Sequence, residues 1–239
     1  MIFSKSFFRM ISLCALVLFS LTGFSQQELS FGLTYSQPVG KYGSASLADG
    51  GFAAPGWGLY FDSKTAQPNW PFGLQLGFHF SYQEHEFSQS ELTRAFDNYF
   101  KELIGNEYST LISIGYYKPL IMSLGPYYDV YLSEKWTANI KSGLGVLFIN
   151  MDPMRFNILD QNNDIIAQET LEFDGNAVFT YFIGGAISYQ LADSWQLGLS
   201  IDHSAAEEEI TTTFSRGNSI EAKQRISILN IGLNLAFEF

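Results

Sequence analysis

The chain has 239 residues and a formal net charge of −11 at neutral pH. Charged residues make up 15% of it, well below the roughly 25% of soluble domains, whereas aromatic residues reach 16%. The acidic balance argues against nucleic acid as a partner, because phosphate backbones attract basic surfaces.

The first 25 residues carry the features of a cleavable secretory signal. Lys5 and Arg9 precede an apolar stretch over residues 10–21, and small residues follow it. We predict cleavage after residue 25, which leaves residues 26–239 as one mature domain. The only cysteine, Cys14, lies inside the signal, so no disulfide or thiol chemistry is expected in the mature chain. No later apolar run approaches the roughly 20 residues of a membrane helix.

Beyond residue 25, apolar side chains recur at every second position in eight segments, which is the period of a β-strand. The last segment is the cleanest, because Leu229, Ile231 and Leu233 alternate with Asn230 and Gly232. Most segments can supply the roughly 9–11 residues that a tilted membrane strand needs. The eight segments cover residues 29–36, 57–62, 72–83, 120–132, 136–148, 179–191, 195–202 and 229–239.

The positions between these apolar residues are mostly Gly, Ser, Thr, Asn and Gln. A sheet that faces water normally carries many Lys and Glu residues, whereas small polar side chains suit the narrow interior of an eight-stranded barrel. The alternation therefore predicts strands with apolar side chains outward and polar side chains inward. A soluble secreted β-sandwich is the alternative for the same pattern.

The connections between the segments alternate strictly between long and short. The short ones cover residues 63–69, 133–135 and 192–194, and the long ones cover residues 39–55, 84–117, 150–176 and 205–223. Short periplasmic turns and long external loops are typical of bacterial membrane barrels. The predicted fold is therefore all-β, an eight-stranded antiparallel up-and-down transmembrane barrel with both termini in the periplasm.

Two features fall in the second long connection. Tyr108 to Tyr117 looks strand-like, and we interpret it as an extension of the fourth strand, bent at Pro119. Ser88 and Glu91 form a capping-box pattern that predicts a short helix ending before Gly105. The apolar stripe of that helix consists of Leu92, Phe96, Tyr99, Phe100 and Leu103.

The four tryptophans stand at the ends of predicted strands. Trp70, Trp136 and Trp195 each begin a strand just after a short turn, and Trp57 opens a strand that follows a long connection. Tryptophan favours the membrane–water boundary, because its ring is apolar and its N–H seeks water. We predict an interfacial girdle, with Trp57 at the outer rim and the other three at the periplasmic rim.

The chain ends on an aromatic residue with apolar residues at alternate positions before it. Together with the signal, the eight strands and the loop asymmetry, this ending resembles the small outer-membrane β-barrel proteins of Gram-negative bacteria, the OmpA/OmpX-like group. The resemblance covers the whole mature chain and implies a bacterial outer-membrane location. It also implies that the barrel-assembly machinery recognises Gly232, Leu233, Leu235, Phe237 and Phe239 as an assembly signal.

Several charged or ionisable residues fall on the predicted inward face. They are Asp62, His79, Asp129, Lys141, Asp202 and Glu238. An isolated buried charge is costly, so we expect Lys141 to be paired within a polar network that fills the lumen. A narrow pore or a proton path is the alternative use of these residues.

Asp202, His203 and Ser204 raise the alternative of a lipid-modifying enzyme, because His beside Ser suggests nucleophilic catalysis. Lipid A deacylases are barrels of this kind, but in their pattern one residue separates the His from the Ser. Adjacent residues on a strand face opposite sides, so we predict no catalytic pair here.

Two acidic features suggest cation binding. Asp160, Asn162 and Asp164 have the opening spacing of a calcium loop, but Ile165 replaces the turn glycine. We therefore expect no calcium site. The run of glutamates at residues 207–209 is predicted to be a solvated cluster at the outer rim, with bridging to lipopolysaccharide phosphates through divalent cations as the alternative.

Together these features predict an integral outer-membrane barrel with a non-enzymatic structural, adhesion or loop-mediated binding role. No catalytic, cofactor-binding or metal-binding residues are predicted. The expected partners are outer-membrane lipids and lipopolysaccharide, the barrel-assembly machinery during biogenesis, and an extracellular partner contacted through the loops. We expect a monomer that binds no nucleic acid. The alternatives are a lipid A deacylase-like enzyme and a narrow pore or carrier for small solutes.

Overall fold

The computed structural model of the protein describes residues 26–44, 53–66, 70–85, 109–113, 115–160, 162–214 and 219–239. These residues form eleven strands and one 3-10 turn, Gly40–Gly43. The strands are β1 Gln26–Pro38, β2 Ala53–Ala66, β3 Phe72–His85, β4 Ser109–Ser113, β5 Tyr116–Tyr131, β6 Trp136–Met151, β7 Met154–Leu159, β8 Ile165–Asp174, β9 Val178–Ala192, β10 Trp195–Phe214 and β11 Ser219–Glu238.

Eight of these strands close into an antiparallel barrel. Their order is β1-β2-β3-β5-β6-β9-β10-β11, and β11 pairs with both β10 and β1. The closure leaves no open edge in the barrel wall, which is how a membrane barrel satisfies its backbone hydrogen bonds. The prediction of an eight-stranded antiparallel barrel is confirmed, and the β-sandwich alternative is wrong.

The side chains alternate as predicted, with the apolar ones outside. On β2, Leu59 and Phe61 are exposed whereas Tyr60 and Asp62 are buried. On β10, Leu197, Leu199 and Ile201 are likewise exposed on the outer surface. The barrel therefore has an apolar outer surface and a polar or mixed interior, the reverse of a water-soluble sheet.

The two ends of the barrel differ, and we call them the short-turn end and the long-loop end. At the short-turn end, the link between β5 and β6 is closed by Ser133, whose Oγ accepts hydrogen bonds from the backbone N–H groups of Lys135 and Trp136 at 3.3 and 3.2 Å. Both described chain ends lie here, and Gln27 and Phe239 exchange main-chain hydrogen bonds of 3.2 and 2.9 Å. A hydroxyl that caps a tight turn fixes the register of the hairpin.

Above the long-loop end, the chain has more strand than the sequence predicted. Residues 205–223, expected to be a long loop, continue as paired β10 and β11 up to Thr213 opposite Ser219. There the outward pairs include Glu207 opposite Arg225 and Glu209 opposite Lys223, and opposite charges stabilise cross-strand neighbours. The sequence pattern did not reveal this extension, because strands in water do not need an apolar face.

The other long connections also contribute strands. β7 and β8 form a hairpin within residues 150–176, and β8 pairs with the end of β10. The interpretation of Tyr108 to Tyr117 as one extension of the fourth strand is wrong in part. Ser109–Ser113 forms the separate strand β4, which pairs with β7, whereas β5 begins at Tyr116.

The predicted helix with its stripe over residues 92–103 lies outside the described residues. Within the described ranges, no helix is long and apolar enough to cross a membrane. The 3-10 turn follows β1 and begins at Gly40, whose φ of 62° lies in the left-handed region that favours glycine. Tyr42 lies within this turn and is buried.

Candidate functional site

The middle of the barrel interior holds a buried ion cluster of three residues, which we call the central cluster. The Nζ atom of Lys141 on β6 lies 3.1 Å from Oδ2 of Asp62 on β2 and 3.0 Å from Oδ1 of Asp202 on β10. Lys141 is only 6% exposed, so its charge depends on these partners for stabilisation. The structure thus brings together three of the six predicted interior residues and ties three strands across the lumen.

Glycines make room for the two carboxylates of the central cluster. A Cβ atom at Gly77 would lie 2.6 Å from Oδ1 of Asp62, and one at Gly184 would collide with Oδ1 of Asp202. Inward glycines beside inward carboxylates therefore let an eight-stranded barrel accommodate charged side chains in a narrow lumen.

The remaining predicted interior residues lie around the central cluster. His79 lines the same small cavity as the cluster, and its Nε2 lies 2.9 Å from Oγ1 of Thr34. Asp129 accepts a hydrogen bond of 2.7 Å from Nδ2 of Asn139. Glu238 lines a separate cavity at the short-turn end, together with Asp129. All three are half-buried.

A second interior ion pair was missed by the sequence reasoning. Nζ of Lys64 lies 2.8 Å from Oε1 of Glu28 and 5.4 Å from the centre of the Tyr127 ring. The sequence pattern places Lys64 in a short turn, but β2 continues to residue 66. Its position two residues after Asp62 puts both side chains on the same face of the strand, and that spacing could have revealed it.

Apolar side chains predominate in the half of the lumen near the long-loop end, which we call the apolar half. Its buried residues form one hydrophobic cluster consisting of Tyr42, Ala53, Tyr117, Ile121, Leu147, Ile149, Met151, Ala206, Ile210, Ile226 and Ile228. Tyr42 is 0% exposed, and its hydroxyl donates a hydrogen bond of 2.8 Å to Oε1 of Gln83. Burial raises the pKa of Tyr42 well above its usual value, so the hydroxyl stays protonated. The Tyr42 side chain thus fills part of the lumen at the long-loop end.

One carboxylate is buried in this apolar half. Glu208 is 1% exposed, although the sequence predicted that it would belong to a solvated glutamate cluster. That prediction is wrong for Glu208, because strand alternation turns it inward while Glu207 and Glu209 stay exposed. Burial raises the pKa of Glu208 to about 7, although a hydrogen bond with the backbone of Asn176 acts in the opposite direction and lowers it. Glu208 lies well beyond the apolar outward stretch of β10, which ends at Ile201.

Three of the four tryptophans project from the outer surface, and Trp70 lies at the rim of the short-turn end, where it also lines a cavity of the interior. Trp70, Trp136 and Trp195 lie at the short-turn end, and Trp57 lies on β2 near the long-loop end with 71% of its surface exposed. Each has an aromatic neighbour, and the ring of Trp136 lies 4.9 Å from that of Tyr189. They lie at the two ends of the barrel, and their role as an interfacial girdle stays a prediction.

The residues of the predicted assembly signal lie on β11, apart from the terminal residue. Leu233 projects outward and is exposed, Leu235 and Phe237 lie on the same face and are half-buried, and Gly232 is buried. Phe239 is exposed beyond the strand, and its ring stacks on that of Phe237 at 5.8 Å. The alternation is continuous to the end of the strand.

His203 and Ser204 project from opposite faces of β10, as the sequence predicted. Ser204 is buried in the lumen, whereas Nε2 of His203 lies 2.8 Å from Oγ of Ser227 on the neighbouring strand. His203 and Ser204 therefore form no catalytic pair, and a different His–Ser pair lies at the outer edge of the apolar surface.

The calcium-like spacing has a structural explanation. Oδ1 of Asp160 accepts hydrogen bonds from the backbone N–H groups of Asn162 and Asp164 at 2.8 and 2.9 Å. Asn163 adopts a φ of 63° in the same turn. An aspartate that caps a tight turn in this way needs no metal ion, and no group of three or more His, Cys, Asp or Glu side chains suited to a metal ion occurs among the described residues.

Comparison with known proteins supports the fold. The chain matches no protein-family model, and no curated protein matches it. A major outer-membrane protein from Thermus thermophilus is similar in structure, with 13% identity, a TM-score of 0.50, and 89% of this chain and 99% of that chain covered. Neisserial surface protein A is 8% identical over 89% of this chain and 97% of that chain, with a TM-score of 0.48. The attachment invasion locus protein Ail of Yersinia pestis was solved with the heparin analogue sucrose octasulfate. It is 12% identical over 90% of this chain and 99% of that chain, with a TM-score of 0.45.

Proposed function

We propose that this chain is an integral protein of the bacterial outer membrane with a non-enzymatic, loop-mediated binding role. The observation that carries the proposal is the outer surface of the barrel. Apolar side chains such as Leu33, Leu59, Leu144 and Leu199 are more than half exposed there, and two aromatic rims flank them. A continuous apolar band of this kind is stable in lipid and would aggregate in water.

The interior supports a closed barrel rather than a pore. The central cluster crosses the middle of the lumen, and the apolar cluster with Tyr42 fills the half near the long-loop end. An eight-stranded barrel is only wide enough for side chains to fill its interior. A narrow pore or carrier would require both barriers to open.

The strands beyond the apolar band support a role in binding. β10 and β11 continue past it, and β8, β7 and β4 add three more strands to β10 there. The exposed side chains of this extension include Leu111, Ile165 and Ile166. We expect the partner to be extracellular and to contact this extension and the loops, because external loops can vary while strands in lipid cannot.

The apolar outer surface of the barrel also suggests which partners the protein has within the bacterial cell envelope. Outer-membrane lipids and lipopolysaccharide would cover the apolar band, and the barrel-assembly machinery would act during biogenesis through the C-terminal strand. The protein is proposed to function as a monomer, because the barrel closes on itself through β1 and β11.

Single-cysteine labelling in intact cells tests the proposal, because the only native cysteine, Cys14, lies in the predicted signal. A membrane-impermeant maleimide should label Ile166→Cys in the extension and should not label Leu199→Cys in the apolar band. Ser200→Cys, the inward neighbour of Leu199, serves as the matched control and should also stay unlabelled. Labelling of Leu199→Cys in the folded protein would contradict insertion in lipid.

One observation favours a second candidate function. His203 and Ser227 lie within hydrogen-bond distance at the outer edge of the apolar band, where a lipid ester would be within reach. A histidine beside a serine can activate its hydroxyl as a nucleophile. The alternative is therefore a lipid-modifying enzyme that uses Ser227, and it is distinguished by loss of deacylation in Ser227→Ala.

A further inference from the structure

A polar cavity of about 170 Å³ occupies the barrel interior at the short-turn end. Its rim includes Trp70 and Glu134, which lie at the turns, so the cavity opens at that end of the barrel. The central cluster and the apolar half of the lumen close the way beyond it. A molecule that enters must leave by the same opening, which describes a binding pocket rather than a channel. The volume is below the ~300–1,000 Å³ of pockets for drug-sized ligands, so the occupant must be small.

The lining of this cavity is rich in hydrogen-bond acceptors and negative charge. Glu28, Asp129, Glu134 and Glu238 contribute carboxylates, and Lys64 is the cation among the lining residues. Lys64 is already engaged with Glu28 at 2.8 Å. The excess of carboxylates repels anions and attracts a positively charged ligand.

A buried acceptor adds a second, independent sign of a ligand. Asn139 lines the cavity and is 5% exposed. Its orientation is fixed because Nδ2 donates to Oδ1 of Asp129 at 2.7 Å. Oδ1 of Asn139 is therefore turned away from Asp129, and it has no hydrogen-bond partner among the described residues. A buried acceptor without a donor is unfavourable, so a ligand that donates hydrogen bonds here would be stabilised.

From this juxtaposition we propose that the cavity binds a small organic ammonium ion, such as a linear diamine. An ammonium group has three donors and no acceptor, which matches carboxylates together with the free oxygen of Asn139. Aromatic rings of Trp70 and Tyr131 also line the opening, and such rings attract cations. A metal ion is the weaker fit, because no metal-binding group of three or more His, Cys, Asp or Glu side chains occurs in the described part of the chain. This inference goes beyond the proposed membrane role and does not depend on it.

The test is calorimetric titration of 1,4-diaminobutane into the full-length mature protein, refolded in a non-ionic detergent. The wild type should bind with a Kd no weaker than millimolar. Asp129→Asn should weaken binding about tenfold or more, because a charge-assisted hydrogen bond is lost. Glu134→Gln should also weaken binding, and since Glu134 lies exposed in a turn this variant keeps the test valid if Asp129→Asn fails to fold. Glu209→Gln removes the same charge at the opposite end of the barrel and should leave the Kd unchanged.

Three results would overturn the assignment. The first is the absence of binding to the folded wild type at millimolar diamine. The second is equal weakening by Glu209→Gln, which would mean that bulk negative charge attracts the diamine. The third is displacement of the diamine by an equal concentration of Mg²⁺, which would mean that the cavity selects a metal ion. Failure here would leave the cysteine-labelling pattern intact, so the two proposals are tested separately.

Discussion

Replacing Lys141 by methionine should severely destabilise the barrel, because it leaves two carboxylates without their cation. Methionine keeps most of the length and the apolar stem of the side chain and removes the ammonium group. In the wild type, Nζ lies 3.1 and 3.0 Å from Asp62 and Asp202. Removing one partner from a buried ion pair typically costs about 3–5 kcal/mol, a factor of more than about 100 in the unfolding equilibrium.

The assay is urea unfolding of protein refolded into lipid vesicles, followed by the tryptophan fluorescence of the rim residues. With the unfolding slopes of about 1–3 kcal/mol per M that are usual for small proteins in urea, the loss corresponds to a midpoint shift of roughly 1–5 M urea. Lys135→Met is the matched control, because Lys135 is exposed in the turn between β5 and β6. It should change the free energy of unfolding by less than about 0.5 kcal/mol.

A rescue variant separates charge from packing. Asp62→Asn and Asp202→Asn, combined with Lys141→Met, remove all three charges and should restore most of the lost stability. The explanation would be refuted if Lys141→Met unfolded at the wild-type midpoint. It would also be refuted if the triple variant were no more stable than Lys141→Met, since the loss would then come from packing.

Three further predictions concern the long-loop end. Tyr42→Phe removes the hydrogen bond to Gln83 and should cost about 1 kcal/mol, and an unchanged urea midpoint would mean that the hydroxyl does not hold the loop. Burial raises the pKa of Glu208 from 4.5 to about 7, so the folded state binds its proton more tightly and wild-type stability should fall as pH rises from about 4.5 to 7. Glu208→Gln should remove that fall, and parallel pH curves for variant and wild type would count against it. The purified protein should release no acyl chains from lipopolysaccharide. Release that Ser227→Ala abolishes and Ser204→Ala spares would instead establish the lipid-modifying alternative.

The part of each strand that forms the apolar band could be predicted from the sequence. On β10, the run from Trp195 to Ile201 alternates without a charge, because lipid excludes charged side chains on the outer face. Beyond Ile201 the same strand continues with Glu207 and Glu209 outward. Water imposes no apolar alternation there, so the sequence pattern ends while the strand does not.

The contacts between interior side chains were harder to predict than the assignment of residues to the inward face. Strand alternation put Asp62, Lys141 and Asp202 on the inward face, but β2, β6 and β10 are not neighbours in the barrel. Which of them meet depends on tilt and on the stagger of the strands, which are properties of the closed barrel. The sequence also showed a strand-like run near Ser109 but could not identify β7 as its partner, because strands far apart in the chain pair only once the fold is formed.

The central claim is that the chain is a lipid-inserted closed barrel, and gel migration of protein extracted from outer membranes tests it most directly. Folded membrane barrels resist SDS until boiled, so unboiled and boiled samples should run at different apparent masses. We expect this shift, with the protein in the outer-membrane fraction. A soluble periplasmic protein whose migration does not change on boiling would contradict both the membrane location and the function proposed from it.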